Sequence, residues 1–145
     1  MNKKTRTLAA LLLALAVSAC ATPGGISDED LLLQAGATRL NGEQVKAHVT
    51  GKTEEWIHGG AYYLADGVIK VKWRKAYSTG SWEVSTDGIL CYQLPRWERR
   101  CHFYMLEVDE VSMLEDGRNL GVRPMYHGNN LVALGRYSTD INRQK

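Results

Sequence analysis

From Lys52 onward the apolar residues of this chain recur at every second position, and a period of two commits most of the sequence to β-structure. The run Val68–Trp73 is the clearest case. Ile69, Val71 and Trp73 share one face, while Lys70, Lys72 and Arg74 take the other, as in a strand with one dry and one wet side. Trp82 and Val84 alternate with Ser81, Glu83 and Ser85 in the same way. Leu90, Tyr92 and Leu94 form another inward set, which turns Cys91 to the opposite face. The pattern predicts further strands over 61–64, 102–108, 111–114, 120–122 and 131–134. Asp66-Gly67, Asp87-Gly88 and Asp116-Gly117 each stand between apolar runs, where glycine takes the positive φ of a tight hairpin turn. Gly128-Asn129-Asn130 offers a similar turn later. The Asp-Gly sites are unevenly spaced and differently flanked, so they read as hairpins rather than as an internal repeat. Pro95 and Pro124 suit strand ends, where no ladder hydrogen bond is lost.

Ahead of this region the signals are helical. Ser27 can cap a helix whose first turn carries Asp28, Glu29 and Asp30, with Leu31, Leu32 and Leu33 following and Gly36 as the stop. A second short helix is predicted from Asn41 or Gly42, with Leu40, Val45 and Val49 near one face and Gly51 as its end. The fold class is therefore mainly β (α+β): two short N-terminal helices, then an antiparallel meander of about eight strands. Such a meander either closes into a small barrel or stays a curved open sheet. Gly80-Ser81-Trp82 resembles the Gly-x-Trp signature of lipocalin-like, calycin-type barrels, although here it lies mid-chain rather than on the first strand.

The first twenty residues carry an address. Lys3, Lys4 and Arg6 precede an apolar run over 8–16 and then Val17-Ser18-Ala19-Cys20, the plan of a secretory signal with small residues before the cut. The tetrapeptide resembles the lipobox of bacterial lipoprotein precursors. That resemblance implies cleavage between Ala19 and Cys20, lipidation of Cys20 and a membrane anchor, with palmitate among the added chains. Ala21 in place of an aspartate favours the outer membrane, with the domain on its periplasmic side. A plain signal cut at Ala19-Cys20-Ala21 uses the same residues. A spanning helix needs roughly 20 apolar residues, which this run does not supply. The expected organisation is a signal peptide over 1–19, a lipidated tether over 20–26, one β-rich domain over 27–136 and a polar tail over 137–145. In an oxidising compartment the two remaining cysteines, Cys91 and Cys101, are expected to form a disulfide closing a short loop. The succession from Leu40 to Cys101 is also similar to a group of small exported proteobacterial proteins whose domain has no assigned function. Its marks are a helix before Thr50-Gly51-Lys52-Thr53, then Tyr63-Leu64-Ala65-Asp66-Gly67, Gly80-Ser81-Trp82-Glu83-Val84, Asp87-Gly88-Ile89-Leu90-Cys91 and a second cysteine.

Charge and chemistry narrow the function classes. With Lys3, Lys4 and Arg6 removed, 15 of the 18 basic residues face 16 acidic ones, which leaves no net pull toward nucleic acid. His48, His58, His102 and His127 lack metal-type spacing, and the adjacent Cys101-His102 would point to opposite faces of a strand, so no metal and no cofactor is expected. No serine stands in a nucleophile elbow. Glu54-Glu55 is a pair of acids without a recognisable catalytic context, and no catalytic residue is assigned. The most unusual run is Arg96-Trp97-Glu98-Arg99-Arg100, inside the expected disulfide loop. Arg96, Trp97, Arg99 and Arg100 are candidate partner-binding residues, because Trp and Arg are favoured anchors of binding surfaces; alternatively Trp97 folds back as a cap. The sequence thus points to a non-enzymatic lipoprotein whose domain binds a periplasmic protein partner or supports the envelope. An inhibitor of an exported protease or lysozyme, and a carrier of a small apolar ligand, are the alternatives.

Overall fold

The computed structural model describes residues 25–134. The signal segment 1–19, Cys20, the first part of the tether and the 137–145 tail lie outside the described residues. Helix α1 (Asp28–Gln34) is held by a capping box between Ser27 and Asp30, and α2 (Gly42–Val49) by one between Asn41 and Gln44. Strand β1 (Thr38–Arg39) lies between them. The chain continues as β2 (Lys52–Trp56), β3 (Gly59–Tyr63), β4 (Val68–Trp73), β5 (Ala76–Val84), β6 (Leu90–Gln93), β7 (Arg100–Glu107), β8 (Glu110–Glu115), β9 (Arg118–Val122) and β10 (Met125–His127).

From β2 to β9 each strand pairs antiparallel with the next, and β10 returns to the free edge of β2. The two outermost strands, β9 and β10, are nevertheless consecutive, joined only by Arg123 and Pro124. In a flat nine-strand sheet those edges would stand about 38 Å apart. Three peptide steps reach at most about 11 Å. The sheet must therefore curl, and it forms a half-barrel. Pro124 suits this seam: it has no N–H to leave unpaired, and its carbonyl accepts from the Glu55 amide at 2.8 Å.

Inward-facing residues fill the curl. Ala61, Tyr63, Ile69, Val71, Trp82, Leu90, Tyr92, Leu94, Tyr104 and Met113 form one apolar cluster, and Val45 and Val49 of α2 plug one end of it. A smaller cluster of Ala37, Met105 and Leu114, with Leu32 of α1 against it, lies on the outer face. The Asp-Gly turns stand as expected, with Gly67, Gly88 and Gly117 at positive φ between β3–β4, β5–β6 and β8–β9. Cys91 and Cys101 are register partners on β6 and β7 with their sulfurs at disulfide distance.

Three expectations need correction. The helices do not form an N-terminal lead: β1 separates them and pairs with β7 (Thr38↔Leu106, Arg39↔Met105), using the edge that β6 leaves open beyond His102. The sheet has more strands than expected, because the polar runs 52–56 and 125–127 pair with each other. The segment 131–134 is no strand but a turn whose Leu131 and Leu134 are buried, with Asn130 accepting from the Ala133 and Leu134 amides.

Gly88 joins the sheet to α2. A Cβ there would lie 1.9 Å from the Leu40 carbonyl oxygen, at a φ of +83. Gly128, at +76, faces open space. Gly88→Ala should therefore cost about 3 kcal/mol or more, and Gly128→Ala only about 1–2 kcal/mol of backbone strain. Equal losses in urea unfolding would contradict this packing.

Candidate functional site

On β2 the alternation sends Glu54 and Trp56 inward, so an acidic residue enters an otherwise apolar interior. Glu54 is 0% exposed. A buried carboxyl group is tolerated only when its lone pairs are satisfied. Three donors do this: Tyr63 Oη–H to Oε2 (2.9 Å), Trp56 Nε1–H to Oε2 (2.8 Å) and Tyr104 Oη–H to Oε1 (2.8 Å). Tyr63 is on the neighbouring strand β3, whereas Tyr104 comes from β7, five strands along the sheet. The Tyr104–Glu54 bond therefore crosses the interior. Behind it, His102 Nε2 lies 3.0 Å from Tyr104 Oη. Because Tyr104 spends its proton on Glu54, its oxygen accepts from His102, which assigns the hydrogen to Nε2. The chain of donors runs His102 to Tyr104 to Glu54, with the His48 ring edge-on to Tyr104 at 5.2 Å.

The surroundings shift these groups. Burial, then the charge of Glu54, pushes the Tyr63 and Tyr104 phenols well above their ordinary range. Burial, with a contribution from Glu115, raises Tyr92 to about 12. His102 is held below its ordinary value by burial and by Arg123, although Glu54 and Glu115 pull the other way. His48 is lowered chiefly by burial.

Above this network, at the end of the half-barrel opposite α2, lies a cavity of about 170 Å³. Its walls include Trp56, Trp73, Tyr92, His102, Leu120 and the charged Arg100, Glu115 and Arg123. Trp56 stacks on Tyr92, with centroids 5.9 Å apart and planes 29° from parallel. Arg100 pairs with Glu115 at 3.1 Å. Arg123 Nε is buried and meets no acceptor among the described residues. At the rim, Ile57 is 73% and Trp73 36% exposed, and a second hollow runs past Arg74 and Lys75.

The 96–100 run is distributed over this end. Trp97 is half-buried and packs edge-on against Trp73 at 6.2 Å, so it folds back. Arg96 is exposed at a φ of 65, Arg99 pairs with Glu83, and Arg100 reaches the cavity. Nothing in the sequence singled out Tyr63, Tyr104 or Arg123 as functional, and Glu54 and His102 stood out only as one of an acid pair and as a histidine without metal-type spacing. One signal was present for Glu54: it shares the face of Trp56 in a period-two run, which puts an acid on the dry side. Among the described residues no three His, Cys, Asp or Glu residues cluster as a metal site. No described helix is long and apolar enough to cross a membrane.

Stability should fall at both ends of the pH scale. Unfolded imidazole takes a proton at about pH 6.5, but folded His102 and His48 resist it, so stability is lost as pH drops below about 6.5. Unfolded tyrosine loses its proton near pH 10 while folded Tyr63 and Tyr104 keep theirs, so stability is lost again above about pH 10. In urea titrations His102→Gln should flatten the limb between about pH 6.5 and 5 by up to about 1.4 kcal/mol per pH unit. The same slope in both proteins would contradict the assignment.

No curated protein and no solved structure matches the chain. A family model does match, over residues 9–103, and its description reads "Protein of unknown function (DUF995)". With about two thirds of its length matched, the chain belongs to the DUF995 family.

Proposed function

We propose that this protein is a non-enzymatic binding module that engages a periplasmic protein partner with the open end of its half-barrel. One observation carries the reading: Ile57, Trp73 and Trp97 gather there at the surface beside Arg74, Lys75 and Arg96. Exposed aliphatic and aromatic groups among cations make a recognisable docking composition. An acidic rim on the partner would complement it. Glu54 is fully engaged by three donors and sealed from solvent, which supports a structural role for that carboxyl group over a catalytic one. Plugging a hydrolase cleft calls for a protruding side chain, and Trp97 lies folded against Trp73. The apolar-carrier reading draws no support from an interior filled by Tyr63, Ile69, Leu90 and Leu94.

The same proposal includes the anchor: lipid on Cys20 would hold the module at the periplasmic side of the outer membrane. Loss of palmitate incorporation in Cys20→Ser supports that placement, and unchanged labelling removes it. For the binding face, a photo-crosslinking amino acid placed at Ile57 or Trp97 should give a discrete protein adduct in envelopes. The same probe at Thr79, exposed on β5, should not. No adduct at the rim, or identical adducts at all three positions, contradicts the reading.

A further inference from the structure

The geometry points to the cavity inside that rim as a receptor for a small carboxylate carried on a flat apolar body, with Arg123 as its anchor. This rests on the open end being the binding face. Arg123 sits at the seam between β9 and β10, and its Nε lies buried without an acceptor among the described residues. That Nε is closed to water, so an acceptor in the cavity would meet the guanidinium at the rest of its fork, where Arg123 lines the wall without an ion pair among the described residues. Arg100, the other guanidinium in the wall, already meets Glu115 at 3.1 Å. A planar fork of N–H donors matches a carboxylate better than a compact ammonium would.

The walls specify the rest of the ligand. The Trp56–Tyr92 stack presents flat aromatic surface, and Met113 and Leu120 add apolar surface. At about 170 Å³ the cavity is smaller than the roughly 300–1,000 Å³ of drug-sized sites, which suits a single ring and excludes a lipid chain. Charge decides against the alternatives. A cationic ligand would meet Arg123 and Arg100, and a dianionic phosphate would sit against Glu115 with Glu54 close behind. A monocarboxylate meets the least repulsion.

Phenylacetate and its neutral isostere phenylacetamide test this, with the full-length chain in detergent and tryptophan fluorescence backed by calorimetry as readouts. Phenylacetate should saturate the wild type with a Kd between about 0.1 and 1 mM. Phenylacetamide, and phenylacetate with Arg123→Gln, should bind at least about ten-fold more weakly. Arg123→Lys should fall between, and Lys70→Gln, exposed on β4 and outside the cavity wall, should match the wild type. Equal affinity for acid and amide, an unchanged Arg123→Gln, or no saturation by about 10 mM overturns the assignment. If Arg123→Gln loses its circular dichroism signal, the acid–amide comparison on the wild type decides alone. Rim crosslinks without acid binding would sink the pocket and leave the docking face standing; acid binding without rim crosslinks would do the reverse.

Discussion

One hydrogen bond, from Tyr104 on β7 to Glu54 on β2, links strands that are five apart in the sheet and meet only because the sheet curls. Backbone ladders join each strand to its neighbours but do not by themselves set how far a meander bends. Apolar packing favours curling without fixing its extent. A donor and an acceptor that must pair inside the curl fix it more sharply, because either group left alone in that interior costs about 1–3 kcal/mol. The two-residue connection between β9 and β10 imposes the same closure from outside. Polar network and covalent seam agree on one curvature.

The cavity inherits its shape from that agreement. Trp56 belongs to both levels: its indole N–H is spent on Glu54, and its ring stacks on Tyr92 as a wall of the open end. His102 likewise faces Tyr104 below and the cavity above. A side chain held by a buried partner has little rotational freedom left to lose when something docks against it, so the network that sets the fold also preorganises the site.

Much of the architecture was legible in the sequence. Alternation placed Val68–Trp73 as a strand, and Asp-Gly pairs marked three hairpins, because both signals are local consequences of backbone geometry. The helix caps at Ser27 and Asn41 were legible for the same reason. Strands β2 and β10 were missed because their residues are polar or mixed and are stabilised by a partner over 60 residues away. The 131–134 run misled because its leucines are buried by packing, not by pairing. The buried network was invisible for a deeper reason: Glu54, Tyr63, His102 and Tyr104 are unremarkable one by one. Only the curl, a property of the whole sheet, brings them together. Arg123 reads as a loop cation until the seam turns it inward.

The most direct measurement is a double-mutant cycle between Glu54→Leu and Tyr104→Phe, followed by urea unfolding near pH 8. If this bond couples β2 to β7, the losses should depart from additivity by about 1 kcal/mol or more. Losses that add within about 0.3–0.5 kcal/mol would mean that the two side chains act independently, and would contradict the account of what holds the half-barrel curled.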